Sequence, residues 1–283
     1  MNTRPLLLLA LLALLAPAKP AGAWGIEGHE VVASIAYGLL SDRARAAADA
    51  LLADDPLPAH CGAGSFAFAS IWPDRLREDP RQCASANHWG DTEAWHSVTI
   101  PLSANSYDPA RDCPGEACVT AKIATFAKLL GDKKADPAKR RDALKFVIHF
   151  VGDLHQPLRA AMSACLKKNR GGTCHDVRVD GRVANLRDFW DDDIVAAISP
   201  DADTIAEMLM RGSPSTGSIG NGTPIDWTNQ SHRLAIKVAY GALPPGAMPE
   251  LTGIYETKVE PTAEAQLQAA GIRLASLLEP LLR

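Results

Sequence analysis

The sequence predicts a mainly α-helical single domain that carries one small β-hairpin. Three observations lead there. Apolar residues recur at helical spacing through most of the chain, one alternating pair of short runs flanks an Asp-Gly turn, and no repeat or low-complexity linker divides the sequence. With 283 residues and 47% hydrophobic content, the chain has ample material for one large core.

Residues 1–23 stand outside that domain. Arg4 precedes an unbroken apolar run from Leu6 to Ala16, and Ala21-Gly22-Ala23 supplies an AxA-type cleavage site, so this segment reads as a secretory signal peptide and residues 24–283 as the domain. The run is shorter than the roughly 20 apolar residues of a membrane-spanning helix. The expected product is a secreted or periplasmic protein with no membrane span, and a monomer. The chain holds 29 Lys and Arg against 33 Asp and Glu; without residues 1–23, which contain Arg4 and Lys19 and no acid, the balance is 27 to 33, a charge of −6. That balance provides no basic footprint for tight, extended nucleic-acid binding, yet it is compatible with an enzyme that grips one or two phosphates.

The elements follow in order. Val31, Val32, Ile35, Ala36 and Leu39 mark a first helix, and Ser41 is placed to cap a second that runs to Leu52. Phe66 to Arg77 reads as a helix kinked at Pro73. Val98 to Ile100 suggests a short extended piece, and Cys118 to Leu130 a helix that stops at Gly131. Asp136-Pro137 opens a helix that carries a long apolar run, which Pro157 ends. Val177 to Val183 forms the hairpin around Asp180-Gly181, and Asn185 to Asp193 follows as a solvated helix start. Further helices are expected after Asp201, from Asp226 through Ala242 and from Pro261 to Leu282, with Gly212 to Thr223 as a surface loop.

The six cysteines form an even set suited to an oxidising compartment, and their order suggests Cys61–Cys83, Cys113–Cys118 and Cys165–Cys174, each closing a local loop. Their spacings match no zinc ribbon or finger.

Chemistry concentrates elsewhere. No Ser, Cys or Lys stands in a nucleophile motif, and neither a P-loop nor a dinucleotide fingerprint is present. His149 and Asp153 lie four residues apart, so they share one face of an otherwise apolar helix, as a core hydrogen-bonded pair or as metal ligands. His29, Asp74 and His96 occupy separate elements; each has an ordinary structural reading, as a core or capping residue, beside a ligand reading. Imidazoles and carboxylates together suit zinc, which activates water without a protein nucleophile.

A series of motifs then narrows the reading. WG followed by GH at 24–29, SIWPDRLR, a WHS segment, YDPARDCPGEAC, FVIHFVGDLHQPL, NLRDFWD and GIRLASLLE occur in this order across nearly all of residues 24–283. The chain therefore resembles the zinc-dependent single-strand-specific nuclease and 3'-nucleotidase family, which includes fungal single-strand nucleases and plant class I nucleases and belongs to the phospholipase C/zinc nuclease superfamily. The resemblance implies that helical fold type and hydrolysis of single-stranded nucleic acid or nucleotides. It implies zinc held by Trp24, through its freed amine and carbonyl, His29 and Asp153, and a second zinc on Asp74, His96 and His149 with Asp153 bridging. Asp74 would also orient the attacking water, and Arg77 would touch the scissile phosphate. Members carry a third zinc on two histidines and an aspartate; here those positions are Arg159, Arg187 and Asp191. Arginine has no lone pair to offer, so two zinc ions are expected, with the guanidiniums either gripping phosphate or filling a dead site with nearby acids. His155 and His175 are candidate stand-in ligands, although His155 lies one turn before Arg159 and its ring should point elsewhere. Ser97 stands where the family often has an aromatic residue. Two alternatives remain: a phospholipase C-like phosphodiesterase, and a catalytically weakened phosphate-binding protein that keeps the fold.

Overall fold

The computed structural model describes residues 24–161, 176–211 and 219–283. Its central element is the apolar helix α5 (Pro137–His155), which starts where Asp136 accepts the amides of Ala138 and Lys139 and stays buried from Asp142 to its last residue. Four other helices wrap it: α1 (Ile26–Leu39), α2 (Asp42–Leu52), α4 (Val119–Gly131) and the long α8 (Gly253–Leu282). Ser41 caps α2 as expected, accepting the Ala44 amide at 3.2 Å. Helix α1 also packs on α6 (Ala202–Arg211), and α7 (Pro224–Leu234) lies over the turn that follows α5. The protein is a mainly α structure with one small sheet.

The expected kinked helix is broken instead. Phe66–Ala69 forms one turn, and a separate α3 (Trp72–Glu78) begins with Pro73 in its first turn, where a missing N–H costs nothing. The hairpin β1 (Asp176–Val179) and β2 (Arg182–Asn185) pairs antiparallel, with Asp180 and Gly181 both at positive φ. A two-residue strand β3 (Glu250–Leu251) adds to it in parallel, which the sequence did not announce. The acidic run after the hairpin is no solvated helix start: Phe189–Asp193 forms a π-helical turn that buries Phe189, Trp190 and Asp191. The last helix begins at Gly253, eight residues before Pro261, which it accommodates in its interior.

Cys61–Cys83 and Cys113–Cys118 are disulfide-bonded. Cys165–Cys174, His175 and the signal segment 1–23 lie outside the described residues.

Candidate metal centre

Four elements bring His29, Asp74, His96, His149 and Asp153 to one point. Helix α1 supplies His29, α3 supplies Asp74 in its first turn, a 3-10 turn at Glu93–His96 supplies His96, and α5 supplies His149 and Asp153 one turn apart. His149 Nε2 lies 3.0 Å from His96 Nδ1, 3.2 Å from Asp153 Oδ2 and 3.7 Å from Asp74 Oδ1. His96 Nδ1 is 3.0 Å from Asp153 Oδ2 and 3.5 Å from Asp74 Oδ1, and His29 Nε2 is 3.6 Å from Asp153 Oδ1. The His29 ring stacks on that of His149 with centroids 3.9 Å apart. In both overlapping triplets, His29–Asp74–His149 and His96–His149–Asp153, the ligand atoms lie within 4.8 Å of one another.

Atoms left unsatisfied test whether a metal fits. Both ring nitrogens of His29, His96 Nε2, Asp74 Oδ1 and Asp153 Oδ1 are buried without a hydrogen-bond partner among the described residues. Buried polar groups without partners are costly, and here such atoms fall on four side chains, His29, Asp74, His96 and Asp153, of types that ligate metals and that meet at one place. Two carboxylates, Asp74 and Asp153, face the imidazoles, and their negative charge favours a cation at this place. Burial pulls His29 down to about 3, against the attraction of Asp153 and Asp74, so its imidazole is neutral and its lone pair free. Burial likewise lowers His96. Burial opposes a proton on His149 too, but the fields of Asp153 and Asp74 outweigh it and raise its affinity. Asp153 is held well below the usual carboxylate range despite burial, by His149 and His96. The site attracts positive charge, and the residues fit metal ions.

A second layer fixes the first. His149 Nδ1 donates to the Ser70 carbonyl at 2.7 Å, which commits Nε2 as the lone pair that faces the cluster. Gly152 lets the His29 ring lie against α5; a Cβ there would sit 2.9 Å from His29 Nδ1. Neither contact was legible in the sequence, since any residue can offer a carbonyl and a glycine's neighbour is not local. Arg77 Nη2 lies 3.1 Å from Asp74 Oδ1 and Nη1 3.4 Å from the exposed Glu93, so a guanidinium borders the cluster on the α3 side.

The residues at the three positions where the resemblance implies a third metal do not fit one. Arg159 follows α5 in a 3-10 turn (Pro157–Ala160) and is 2% exposed, Arg187 is 6% exposed and Asp191 2%. Arg159 Nη2 donates to Asp191 Oδ2 at 3.2 Å and Gln156 Nε2 donates to Oδ1 at 2.6 Å, so both carboxylate oxygens are engaged. Burial raises Asp191 to about 7, against the pull of Arg159 and Arg187. Burial and the neighbouring Arg159 lower Arg187 to about 10, which keeps it charged. His155 takes no part: its Nδ1 donates to the Val151 carbonyl and its Nε2 accepts from Arg273. Trp24 is fully buried, and the next amide, Gly25 N–H, donates to the Asp191 carbonyl at 2.7 Å, which ties the start of the domain to the π-helical turn. In the unprocessed chain the Trp24 nitrogen is an amide with no lone pair for a metal. His60, Cys61 and Cys83 also cluster, but the two sulfurs are bonded to each other.

A family model described as S1/P1 Nuclease matches residues 24–283. Among curated proteins, Endonuclease 2 of Arabidopsis thaliana is 31% identical over 188 residues, which are 63% of this chain and 58% of the relative. Nuclease S1 of Aspergillus oryzae is 26% identical over 277 residues, 90% of this chain and 91% of the relative. Nuclease P1 of Penicillium citrinum is 26% identical over 279 residues, with 89% and 96% covered.

Proposed function

Since the chain belongs to the S1/P1 nuclease family, we propose that it is an exported zinc-dependent endonuclease that hydrolyses phosphodiesters of single-stranded nucleic acid and acts on 3'-nucleotides. The observation that carries this reading is the convergence of five buried or half-buried metal-ligating side-chain types, His29, Asp74, His96, His149 and Asp153, from four elements. His29, Asp74, His96, His149 and Asp153 would hold two zinc ions together with Trp24, whose amine is freed by removal of residues 1–23. When bound, zinc supplies a Lewis acid for the phosphate and a water that ionises near pH 7, about nine units below bulk water.

The chain's own groups do the rest. Asp153, within 3.6 Å of ring nitrogens of His29, His96 and His149, would hold metal together with them. Ser70 holds His149 in the tautomer that leaves Nε2 free. Asp74 orients the attacking water, and Arg77, 3.1 Å from it, binds the non-bridging phosphate oxygens where negative charge grows. The water oxygen forms a bond to phosphorus as the bond to an ester oxygen breaks, and the leaving oxygen takes a proton.

The test sets single-stranded DNA, RNA and 3'-AMP beside phosphatidylcholine, with zinc-loaded and chelator-treated protein. Zinc-dependent hydrolysis of the first three is expected. Hydrolysis of the lipid alone would transfer the protein to the phospholipase C-like reading, and silence in every assay at full zinc loading would make it a phosphate-binding protein. Recovery of a monomeric protein outside the cytoplasm whose first residue is Trp24 is the matching expectation for export.

A further inference from the structure

Beside the metal cluster lies a second buried constellation, made by Gln156, Arg159, Arg187 and Asp191. Burying a guanidinium demands partners for all five of its N–H groups. Among the described residues the Arg159 Nη2 shares Asp191 with Gln156, while its Nε is buried with no hydrogen-bond partner. Arg187 leans on the fields of the same Asp191 and of Asp188, and it repels Arg159. Arg159 also bears electrostatically on His29, so its charge reaches the metal cluster. A metal ion would meet two cations here and a carboxylate already engaged at both oxygens. An anion would meet two guanidiniums, with Arg159 Nε unpartnered among the described residues, in the fork geometry that matches phosphate oxygens.

We propose that Arg159 and Arg187 form a phosphate-binding guanidinium pair in place of a third metal ion, so that the protein works with two metals and holds the substrate phosphate between them and the pair. The proposal rests on the nuclease reading above. Asp191 is then the resident anion: an arriving phosphate group takes over donors of Arg159, and Gln156 keeps the displaced carboxylate in place.

The test is calorimetry of inorganic phosphate binding to the zinc-loaded mature chain, with zinc counted per chain by elemental analysis. Two zinc ions are expected in the wild type. Arg159→Gln and Arg187→Gln should each weaken phosphate binding about tenfold or more, the loss of charge-assisted hydrogen bonds, at unchanged zinc content. Arg182→Gln, which removes an exposed arginine paired with Asp193, should leave it unchanged. Phosphate affinity unaltered in a folded Arg159→Gln protein overturns the proposal, and so do three firmly bound zinc ions in the wild type, a measurement that needs no variant. Either result with hydrolysis of single-stranded DNA intact removes only the arginine pair; absence of any nucleic-acid hydrolysis removes the nuclease reading itself.

Discussion

Gly152→Ala separates helix stability from metal binding. The helical backbone at Gly152 accepts a side chain, and Ala in a helix interior is worth about 0.8–1.0 kcal/mol over Gly. The added Cβ, however, would stand 2.9 Å from His29 Nδ1 and 3.2 Å from Cε1. Ordinary contact needs about 3.5–4.0 Å, so the ring must lift by roughly 0.6 Å or more off α5, away from its stack on His149. Metal sites tolerate displacements of only about 0.2 Å. Disturbed ligand positioning of this kind costs about 10–100-fold in metal affinity, or about 1.4–2.7 kcal/mol. Overpacking costs about 1–3 kcal/mol, which the helix gain partly offsets, so the variant still folds. The assay is zinc competition against a chromogenic chelator, with melting of the metal-free protein alongside. Gly38→Ala is the control, because a Cβ there meets nothing within 4 Å; it should leave zinc affinity unaltered. Zinc affinity within twofold of wild type in folded Gly152→Ala would refute the assignment of His29 as a ligand.

Replacing both Cys61 and Cys83 with Ser opens a 22-residue separation that encloses Asp74 and Arg77; the expected loss is about 3 kcal/mol, read as a lower melting temperature, with weaker zinc binding. An unchanged melt would show that the α3 segment is held without the bridge. Asp191→Asn addresses the acid raised from 3.8 to about 7 by burial. Its stabilising contribution is complete below the unfolded value and disappears as pH rises through about 7, so between pH 4 and 7 the wild type should lose stability relative to the variant by at most about 1.4 kcal/mol per pH unit. Parallel pH profiles of melting would contradict this. One extra residue before Trp24 in the mature protein should reduce zinc content and rate together, and no change in either would remove Trp24 from the ligand set.

Much of this was legible because local rules and the fold agree. The Asp136-Pro137 start, the apolar run of α5 and the Asp-Gly hairpin each follow from a few adjacent residues, and the His149–Asp153 spacing puts two ligands on one face whatever surrounds them. The failures share a cause, which is dependence on distant partners. Strand β3 is two residues long and exists because β1 offers an edge. Asp191 belongs to an acidic run that reads as solvated, yet Gln156 and Arg159 receive it in the interior. Pro261 looked like a helix start because nothing local shows that eight earlier residues are already helical. Convergence of the five candidate ligand residues is likewise a tertiary fact; the family motifs pointed to them without giving a distance.

The packing of α8 on α1 has a bearing on the order of events in the cell. Gly271 lets the two helices approach so closely that a Cβ there would come 2.4 Å from Ile35, and Ile35 lies on the same helix as His29. Support for the helix that carries His29 is therefore completed only once α8, far later in the sequence, has been made and has folded. A nascent chain that lacks α8 lacks part of the wall that steadies His29.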